Sequence, residues 1–229
     1  MLTQDLAERI EREAYLPEHL PDYVCAVSGA EPFCFEDYLA YAGRGVLIFI
    51  GYPLGTPFDP NALDRILAGA VRKCKPRLVS LIAPSIPASL VKDLPPSDQF
   101  YRLDLKAVVH SQKTRNMIHR AGRELNLNIT REFGPEHSRL VEDFAEMRSL
   151  DTATRTIFGK IKAYVEASRS ARIFEARNRA GELVAFDVAD FASRNYAFYM
   201  FNIPAVGRYV PGTSDLLLAR VIDEAVAGG

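Results

Sequence analysis

Four polar side chains on two neighbouring predicted strands are of the types that acid–base chemistry needs. Asp187 and Asp190 lie on the predicted strand 183–191, on opposite faces because their separation is odd. Tyr199 and Asn202 lie on the next predicted strand, 195–203. A carboxylate whose pKa is raised by burial is a usable general base. The sequence therefore predicts these four residues as catalytic candidates. In the alternative interpretation they have no catalytic role, because the tyrosine packs in the core and the aspartates face solvent.

The loop after these strands combines a cation, a glycine and two hydroxyl side chains: Arg208, Gly212, Thr213 and Ser214. An amphipathic helix follows, and Thr213 or Ser214 is predicted to cap it. Free backbone N–H groups at a helix N-terminus can hold an anion. We therefore expect this loop to be an anion-binding site.

A predicted helix over 111–125 carries an unusually basic face for a neutral protein. Its apolar positions are predicted to face the core, and the opposite face collects Lys113, Arg115, His119, Arg120 and Arg123. These five residues are candidates for contact with a substrate, a phosphate or RNA. A solvated helix face explains the pattern equally well.

Composition and motifs narrow the function classes. The formal net charge is −1 over 229 residues, which argues against a protein that coats DNA. Three cysteines without metal-like spacing are expected to be reduced thiols. The four histidines show no ligand spacing, so we expect no metal site. Neither a signal peptide nor a membrane-length apolar run is present, which predicts a cytoplasmic protein without a membrane span.

The order of predicted elements indicates a mixed α/β (α+β) fold. Strands are predicted at 22–27, 32–41, 46–51, 78–83, 100–106, 127–133 and 173–178, and helices at 4–14, 59–75, 135–150 and 152–168, besides the elements already named. Strand 46–51, the helix after Asp59-Pro60 and strand 78–83 form a parallel strand–helix–strand unit. A shift of 151 positions lays residues 22–76 on 173–227 and predicts an internal repeat whose second copy lacks its C-terminal strands.

The order strand, two helices, hairpin, strand, glycine loop and helix over 127–229 resembles the GNAT N-acyltransferases. Four stretches also resemble the Fem-type aminoacyltransferases and the lysyl-phosphatidylglycerol synthase catalytic domain. They are Tyr101-Arg102-Leu103-Asp104-Leu105, Lys113-Thr114-Arg115-Asn116, Arg120-Ala121-Gly122 and residues 211–218. The resemblance implies tandem GNAT-like domains over 1–99 and 100–229. The GNAT loop pattern is altered, because Arg208 precedes Gly212 by one residue too many.

The resemblance also implies a function. It predicts an acyl- or aminoacyltransferase with acyl-CoA or aminoacyl-tRNA as co-substrate and no tightly bound cofactor. The donor would bind at the predicted strand 195–203 and at the loop residues Arg208, Gly212, Thr213 and Ser214. The acceptor would be an amine or a hydroxyl of a small molecule, a lipid or a peptide, and tRNA and a second copy of the chain are expected partners. The alternative is a non-catalytic GNAT-like binding or assembly module, which the altered loop favours.

Overall fold

The chain forms two compact units. The structure is a computed structural model that describes residues 3–87, 90, 97, 99–208 and 210–228. The first unit comprises the described residues up to Tyr101 together with Ser193–Asn195, and the second comprises Arg102–Ala192 together with the residues from Tyr196 onward. Tandem GNAT-like domains over 1–99 and 100–229 stay a prediction, because compactness alone does not identify a fold family.

The first unit is built on a four-stranded sheet in the order β1-β2-β3-β4. Its strands β1, β2 and β3 are antiparallel neighbours, and β4 runs parallel to β3 across the α3 connection, as the sequence predicted. The Asp59 side chain caps α3 by accepting a hydrogen bond from the Asn61 backbone N–H at 2.9 Å. The elements are α1 (Gln4–Glu13), α2 (Pro21–Ser28), β1 (Glu31–Phe35), β2 (Tyr38–Gly43), β3 (Val46–Ile50), α3 (Pro60–Cys74) and β4 (Leu78–Ile82).

Two predicted elements of the first unit are wrong. The predicted strand 22–27 is the helix α2, which begins with Pro21 in its first turn and ends at Gly29 in the left-handed region, with φ 66°. Both residues are helix-boundary signals that outweigh the continuous apolar run between them. The predicted strand 32–41 is two strands, β1 and β2, because Glu36 turns the chain with φ 54°.

The second unit holds a fully antiparallel sheet in the order β5-β6-β7-β8. One face packs against α4 and α8 through a core that includes Ala121, Phe174 and Leu217. Phe186 points to the other face, where its ring contacts His137 of α5 at 5.0 Å. The elements are α4 (Gln112–Glu124), β5 (Asn126–Thr130), α5 (Pro135–Met147), α6 (Thr152–Phe158), α7 (Ile161–Ala167), β6 (Ala171–Arg177), β7 (Leu183–Asp190), β8 (Phe198–Pro204) and α8 (Thr213–Ala227).

Two further predictions fail between residues 100 and 168. The predicted strand 100–106 has no strand partner, and a short 3-10 helix, Leu105–Ala107, occupies its end. The alternating pattern that suggested a strand leaves Tyr101 92% exposed. The predicted single helix 152–168 is divided into α6 and α7, since Gly159 and Lys160 lie between the two helices.

The fold class is confirmed as mixed α and β with two four-stranded sheets. The shift of 151 positions carries β3 to 197–201, within or beside β8, and α3 to 211–225, which overlaps α8. The hairpin part of the alignment is wrong, because β1 falls on the start of β7 and β2 falls largely beyond its end. The internal repeat therefore stays a prediction, supported by the strand–loop–helix segments alone. None of the helices among the described residues is both long and apolar enough to cross a bilayer.

Candidate active site

A β-bulge brings two of the predicted catalytic residues to the same face of the sheet. Asp187 on β7 pairs directly with Asn202 on β8, and two positions further along β7, Ala189 pairs with Tyr199. The register shift between these pairs leaves Met200 as the extra residue of β8. In a regular strand, residues three apart point to opposite faces. The bulge therefore lets both Tyr199 and Asn202 reach Asp187.

The three side chains form one hydrogen-bonded cluster. The Tyr199 hydroxyl donates to Oδ2 of Asp187 at 2.8 Å, and the Asn202 amide Nδ2 donates to Oδ1 of the same carboxyl at 2.6 Å. Ser214, in the first turn of α8, donates its hydroxyl to Oδ1 of Asn202 at 3.4 Å. We call Asp187, Tyr199, Asn202 and Ser214 the Asp187 cluster. The cluster holds both carboxyl oxygens of Asp187 in fixed positions.

Asp187 has the electrostatic character of a general base. No part of its surface is exposed, and this burial raises its pKa to about 7, although the hydrogen bonds from Asn202 and Tyr199 favour the ionised form. No cation among the described residues forms a salt bridge with the carboxyl to offset its burial. A carboxyl with a pKa near neutrality exchanges protons readily at physiological pH.

Tyr199 connects the buried carboxyl to the surface. Tyr199 as a whole residue is 41% exposed, while its hydroxyl contacts Asp187. Burial of the hydroxyl and the neighbouring Asp187 both raise the pKa of Tyr199, so it stays a neutral phenol. Tyr199 therefore lies between the buried Asp187 carboxyl and the surface of the second unit.

The start of α8 differs from its prediction. Gly212, with φ 93°, is the N-cap, and neither Thr213 nor Ser214 caps the helix. Thr213 instead donates its hydroxyl to the Val210 carbonyl at 2.6 Å. A Cβ at Gly212 would overlap the backbone carbonyl of Met117 on α4, so a glycine is required there for helix packing as well as for its φ.

The four anion-loop candidates do not converge on one point. Ser214 belongs to the Asp187 cluster, whereas Thr213 is buried and bonded within the loop. Arg208 is exposed, with Nη1 at 3.7 Å from Oε1 of Glu182. Anion binding by this loop therefore stays a prediction.

Asp190, the other predicted base, lies in a separate network. Its carboxyl accepts hydrogen bonds from the hydroxyls of Tyr164, Ser168 and Ser170 and from the Ala192 backbone N–H, at 2.5 to 3.0 Å. Asp190 is 1% exposed, and its three hydroxyl partners lie on α7 or in the residues directly after it. This carboxyl joins α7 to the sheet, and its predicted role as a base stays untested.

The basic residues of α4 are all exposed. Lys113, Arg115, His119, Arg120 and Arg123 lie on the side of the helix opposite its buried residues. The Arg115 guanidinium donates to the His110 carbonyl at 2.7 Å and to Oε1 of Gln112 at 2.8 Å. Their predicted contact with a phosphate therefore has an accessible surface but stays a prediction.

The sequence did not reveal a second buried polar network. His137 Nε2 lies 3.0 Å from Oε1 of Glu175, and its Nδ1 accepts the Gly134 backbone N–H at 3.0 Å. Burial would raise the pKa of Glu175, but hydrogen bonds from Arg177 and Asn128 outweigh it and lower that pKa. The position of His137 three residues after Gly134, at the start of α5, is a capping signal that could have predicted the Nδ1 bond.

This network borders a cleft of about 310 Å³. Because Nδ1 accepts a hydrogen bond and Nε2 faces Glu175, neither ring nitrogen of His137 is available to a substrate. The network therefore stabilises the start of α5. Across the described ranges, no group of three or more His, Cys, Asp or Glu side chains could hold a metal ion.

No protein-family model matches the sequence, and a sequence comparison with curated proteins finds no match. The solved structures that are similar in fold include the following two. L-PGS from Bacillus licheniformis has a TM-score of 0.60 at 16% identity, over 100% of this chain and 76% of the other. The C-terminal domain of a protein named as a lysylphosphatidylglycerol synthetase, from Agrobacterium fabrum, has a TM-score of 0.53 at 14% identity, over 98% of this chain and 76% of the other. At these identities the likeness establishes the fold, which this chain shares with structures named for lysylphosphatidylglycerol synthesis.

Proposed function

We propose that this chain is an acyl- or aminoacyltransferase that moves its group to an amine or hydroxyl acceptor. The observation that carries the proposal is Asp187, a fully buried carboxyl with a pKa of about 7 that Tyr199 connects to the surface. Carboxyls with strongly raised pKa values are concentrated at functional sites. One similar structure is named for a synthetase that joins a lysyl group to a lipid, and this name supports the reaction class.

The cluster supplies the proton transfer that such a reaction needs. As the acceptor heteroatom forms its bond to the acyl carbon, its proton passes to the Tyr199 oxygen, and the Tyr199 proton passes to Oδ2 of Asp187. Asn202 holds the other carboxyl oxygen at 2.6 Å, which fixes the orientation of the base. The bond from the acyl carbon to the donor sulfur or oxygen then breaks. The leaving group takes up the proton that Asp187 holds, and Asp187 returns to its ionised form.

The donor in this proposal is acyl-CoA or aminoacyl-tRNA, bound as a co-substrate beside β8. Ser214 is the anion-loop residue that touches the Asp187 cluster, which favours a donor placed at the start of α8. Arg208, Gly212 and Thr213 would bind the remaining anionic groups of the donor, with its phosphates as the ligands.

A specific observation favours the alternative of a non-catalytic binding or assembly module. Gly212 packs directly against Met117 of α4, so helix packing alone accounts for this glycine. The two functions differ in the role of Tyr199, because only the enzyme requires its hydroxyl.

The test is transfer from a labelled donor by the wild type and by Tyr199→Phe. Labelled acetyl-CoA and lysyl-tRNA are incubated with a set of amine and hydroxyl acceptors, including phosphatidylglycerol, and labelled products are separated. We expect product from the wild type and a loss of about 10²- to 10⁴-fold in Tyr199→Phe. Tyr196→Phe is the matched control, since the Tyr196 ring stacks on Phe198 outside the cluster. Equal product from all three proteins would contradict the proposal.

A further inference from the structure

The last strand of the first sheet, β4, has a free outer edge. It pairs with β3 on one side, and none of the described residues forms a strand on its other side. The Leu78 N–H donates to the carbonyl of the residue before β3 at 3.2 Å, and the Ile82 carbonyl accepts the Gly51 N–H at 2.6 Å. Backbone groups alternate in direction along a strand, so those of Val79 and Leu81 point to the free edge.

This edge is ordered and partly apolar. The outward N–H and C=O groups of Val79 and Leu81 have no hydrogen-bond partner within the described part of the chain. Leu81 fixes the strand by packing against the core that includes Leu47 and Phe49. At the start of β4, Leu78 is 61% exposed and Val79 is 37% exposed. An ordered strand that presents free backbone groups is a template for another strand.

Cations without acidic partners gather at the start of β4. Arg77 directly precedes the strand, and its N–H donates to the carbonyl of Gly45, the neighbour of Arg44, at 2.7 Å. Lys75 is the C-cap of α3, two residues earlier. We call Arg44, Lys75 and Arg77 the basic end; all three are exposed, and no carboxylate of a described residue forms a salt bridge with them. From residue 65 to residue 92 the sequence contains no Asp or Glu.

The edge and the charge together select the kind of partner. A second copy of the chain would offer the same strand, with no acid beside it to meet the cations, and charged residues at an edge oppose such pairing. Phosphate groups could meet the cations but have no proton to donate to the outward carbonyls of Val79 and Leu81. An extended peptide supplies a donor and an acceptor at each residue, and acidic side chains in it complement the basic end.

We propose that β4 takes up an extended acidic segment of a partner protein as a fifth strand of the first sheet. Val79 and Leu81 would exchange backbone hydrogen bonds with the segment, whose apolar side chains would cover Leu78. In the antiparallel orientation, which gives the more stable pairing, acidic residues that follow the added strand would lie at Arg77. The edge belongs to the first unit and the Asp187 cluster to the second, so this docking and the proposed transfer reaction can fail separately.

Fluorescence anisotropy with three labelled peptides tests the strand and the charge separately. The first peptide is Ser-Val-Thr-Val-Thr-Val-Glu-Glu-Asp. The second ends in Lys-Lys-Lys instead of the three acids, and the third keeps the acids but has Pro-Pro in place of the central Val-Thr, which removes donors from the strand. We expect the full chain to bind the first peptide and to bind each of the others about tenfold more weakly or worse. Equal binding of the first peptide and either of the others would overturn the proposal.

Variants assign the binding to the edge of β4. Lys75→Gln combined with Arg77→Gln should weaken binding of the acidic peptide by about tenfold, because two ion pairs are lost. Lys106→Gln combined with Arg139→Gln makes the same chemical changes at exposed positions of the second unit and should leave binding unchanged. Val79→Pro removes an outward N–H at a position where an edge strand tolerates proline, and it should abolish binding. Urea unfolding checks the fold of Val79→Pro, and the charge variants decide the question if it does not fold.

Amide hydrogen exchange reads out the added strand directly. Saturating acidic peptide should slow exchange at the N–H groups of Val79 and Leu81 and change little at Leu78, whose N–H is already bonded. Unchanged exchange at Val79 and Leu81 would overturn the proposal.

Three further results would also overturn it. One is a wild type that does not bind the acidic peptide, including the case in which it binds a tRNA mixture instead. Another is a dimer that Val79→Pro abolishes, which would assign the edge to a second copy of the chain. The third is an equal loss of peptide binding in the basic-end variant and its control. None of these readouts needs activity, so a chain that transfers no group but binds the peptide would refute the proposed function and support the docking edge.

Discussion

Replacing Asp187 with asparagine tests the electrostatics of the cluster with almost no change of shape. The folded protein holds this carboxyl with a pKa of about 7, whereas an unfolded chain gives aspartate a pKa of about 3.9. Each pKa unit corresponds to about 1.36 kcal/mol. At about pH 8, ionised Asp187 therefore lowers the free energy of unfolding by roughly 4 kcal/mol relative to a residue that cannot ionise.

The sign of the pH dependence follows from proton counting. Between about pH 4 and about pH 7, the folded protein keeps a proton that the unfolded chain has lost, so the contribution of Asp187 to stability falls as pH rises. The stability of Asp187→Asn lacks this dependence on pH, because the amide does not ionise. The amide also accepts the hydrogen bonds from Tyr199 and Asn202 less well, which lowers the free energy of unfolding by about 1.5 kcal/mol. We expect the variant to match the wild type at about pH 5 and to be more stable by about 3 kcal/mol at about pH 8.

Urea unfolding of both proteins at the two pH values measures this difference. Ser214→Ala is the matched control, because it alters the same cluster without removing an ionisable group, and its stability difference should not change with pH. An Asp187→Asn difference that is the same at both pH values would refute the raised pKa and, with it, the assignment of a base.

Three further substitutions test the packing around the site by urea unfolding. Gly212→Ala should destabilise by more than about 2 kcal/mol, because the Cβ meets the α4 backbone, whereas Gly207→Ala, with φ 74° and open space, should cost only about 1 kcal/mol. Asp190→Ala should cost about 3–5 kcal/mol, since three hydroxyls and one amide lose their acceptor. His137→Ala should cost about 3 kcal/mol, and exposed His119→Ala less than about 0.5 kcal/mol; similar costs at both positions would contradict a structural role for His137.

Local signals in the sequence predicted many of the elements. The Asp59-Pro60 pair located the start of α3, because a cap satisfies backbone groups at the helix terminus. The predicted strand 22–27 failed because its continuous apolar residues were weighed above Pro21 and Gly29, which mark the ends of a helix. The boundary signals were therefore present in the sequence.

Other features depend on contacts that a sequence does not display. The predicted strand 100–106 had the alternating pattern, but a strand exists only where a neighbouring strand accepts its hydrogen bonds. The bulge at Met200 contains neither glycine nor proline, so nothing in the sequence announces that Tyr199 and Asn202 share a face. The sequence named both aspartates equally, and only their partners distinguish Asp187 from Asp190.

The central claim, that Asp187 is the base of a transferase, is tested most directly by the transfer rate of Asp187→Asn beside that of Asp190→Asn. Both carboxyls are buried on β7, Asp187 within the strand and Asp190 at its end, so the pair controls for the loss of a buried carboxyl on this strand. Rates are measured with the donor and acceptor that the wild type uses, at about pH 8, and are normalised to folded protein. We predict that Asp187→Asn loses at least about 100-fold in rate while Asp190→Asn retains most of it. Equal rates in the two variants, or retained activity in Asp187→Asn, would contradict the claim.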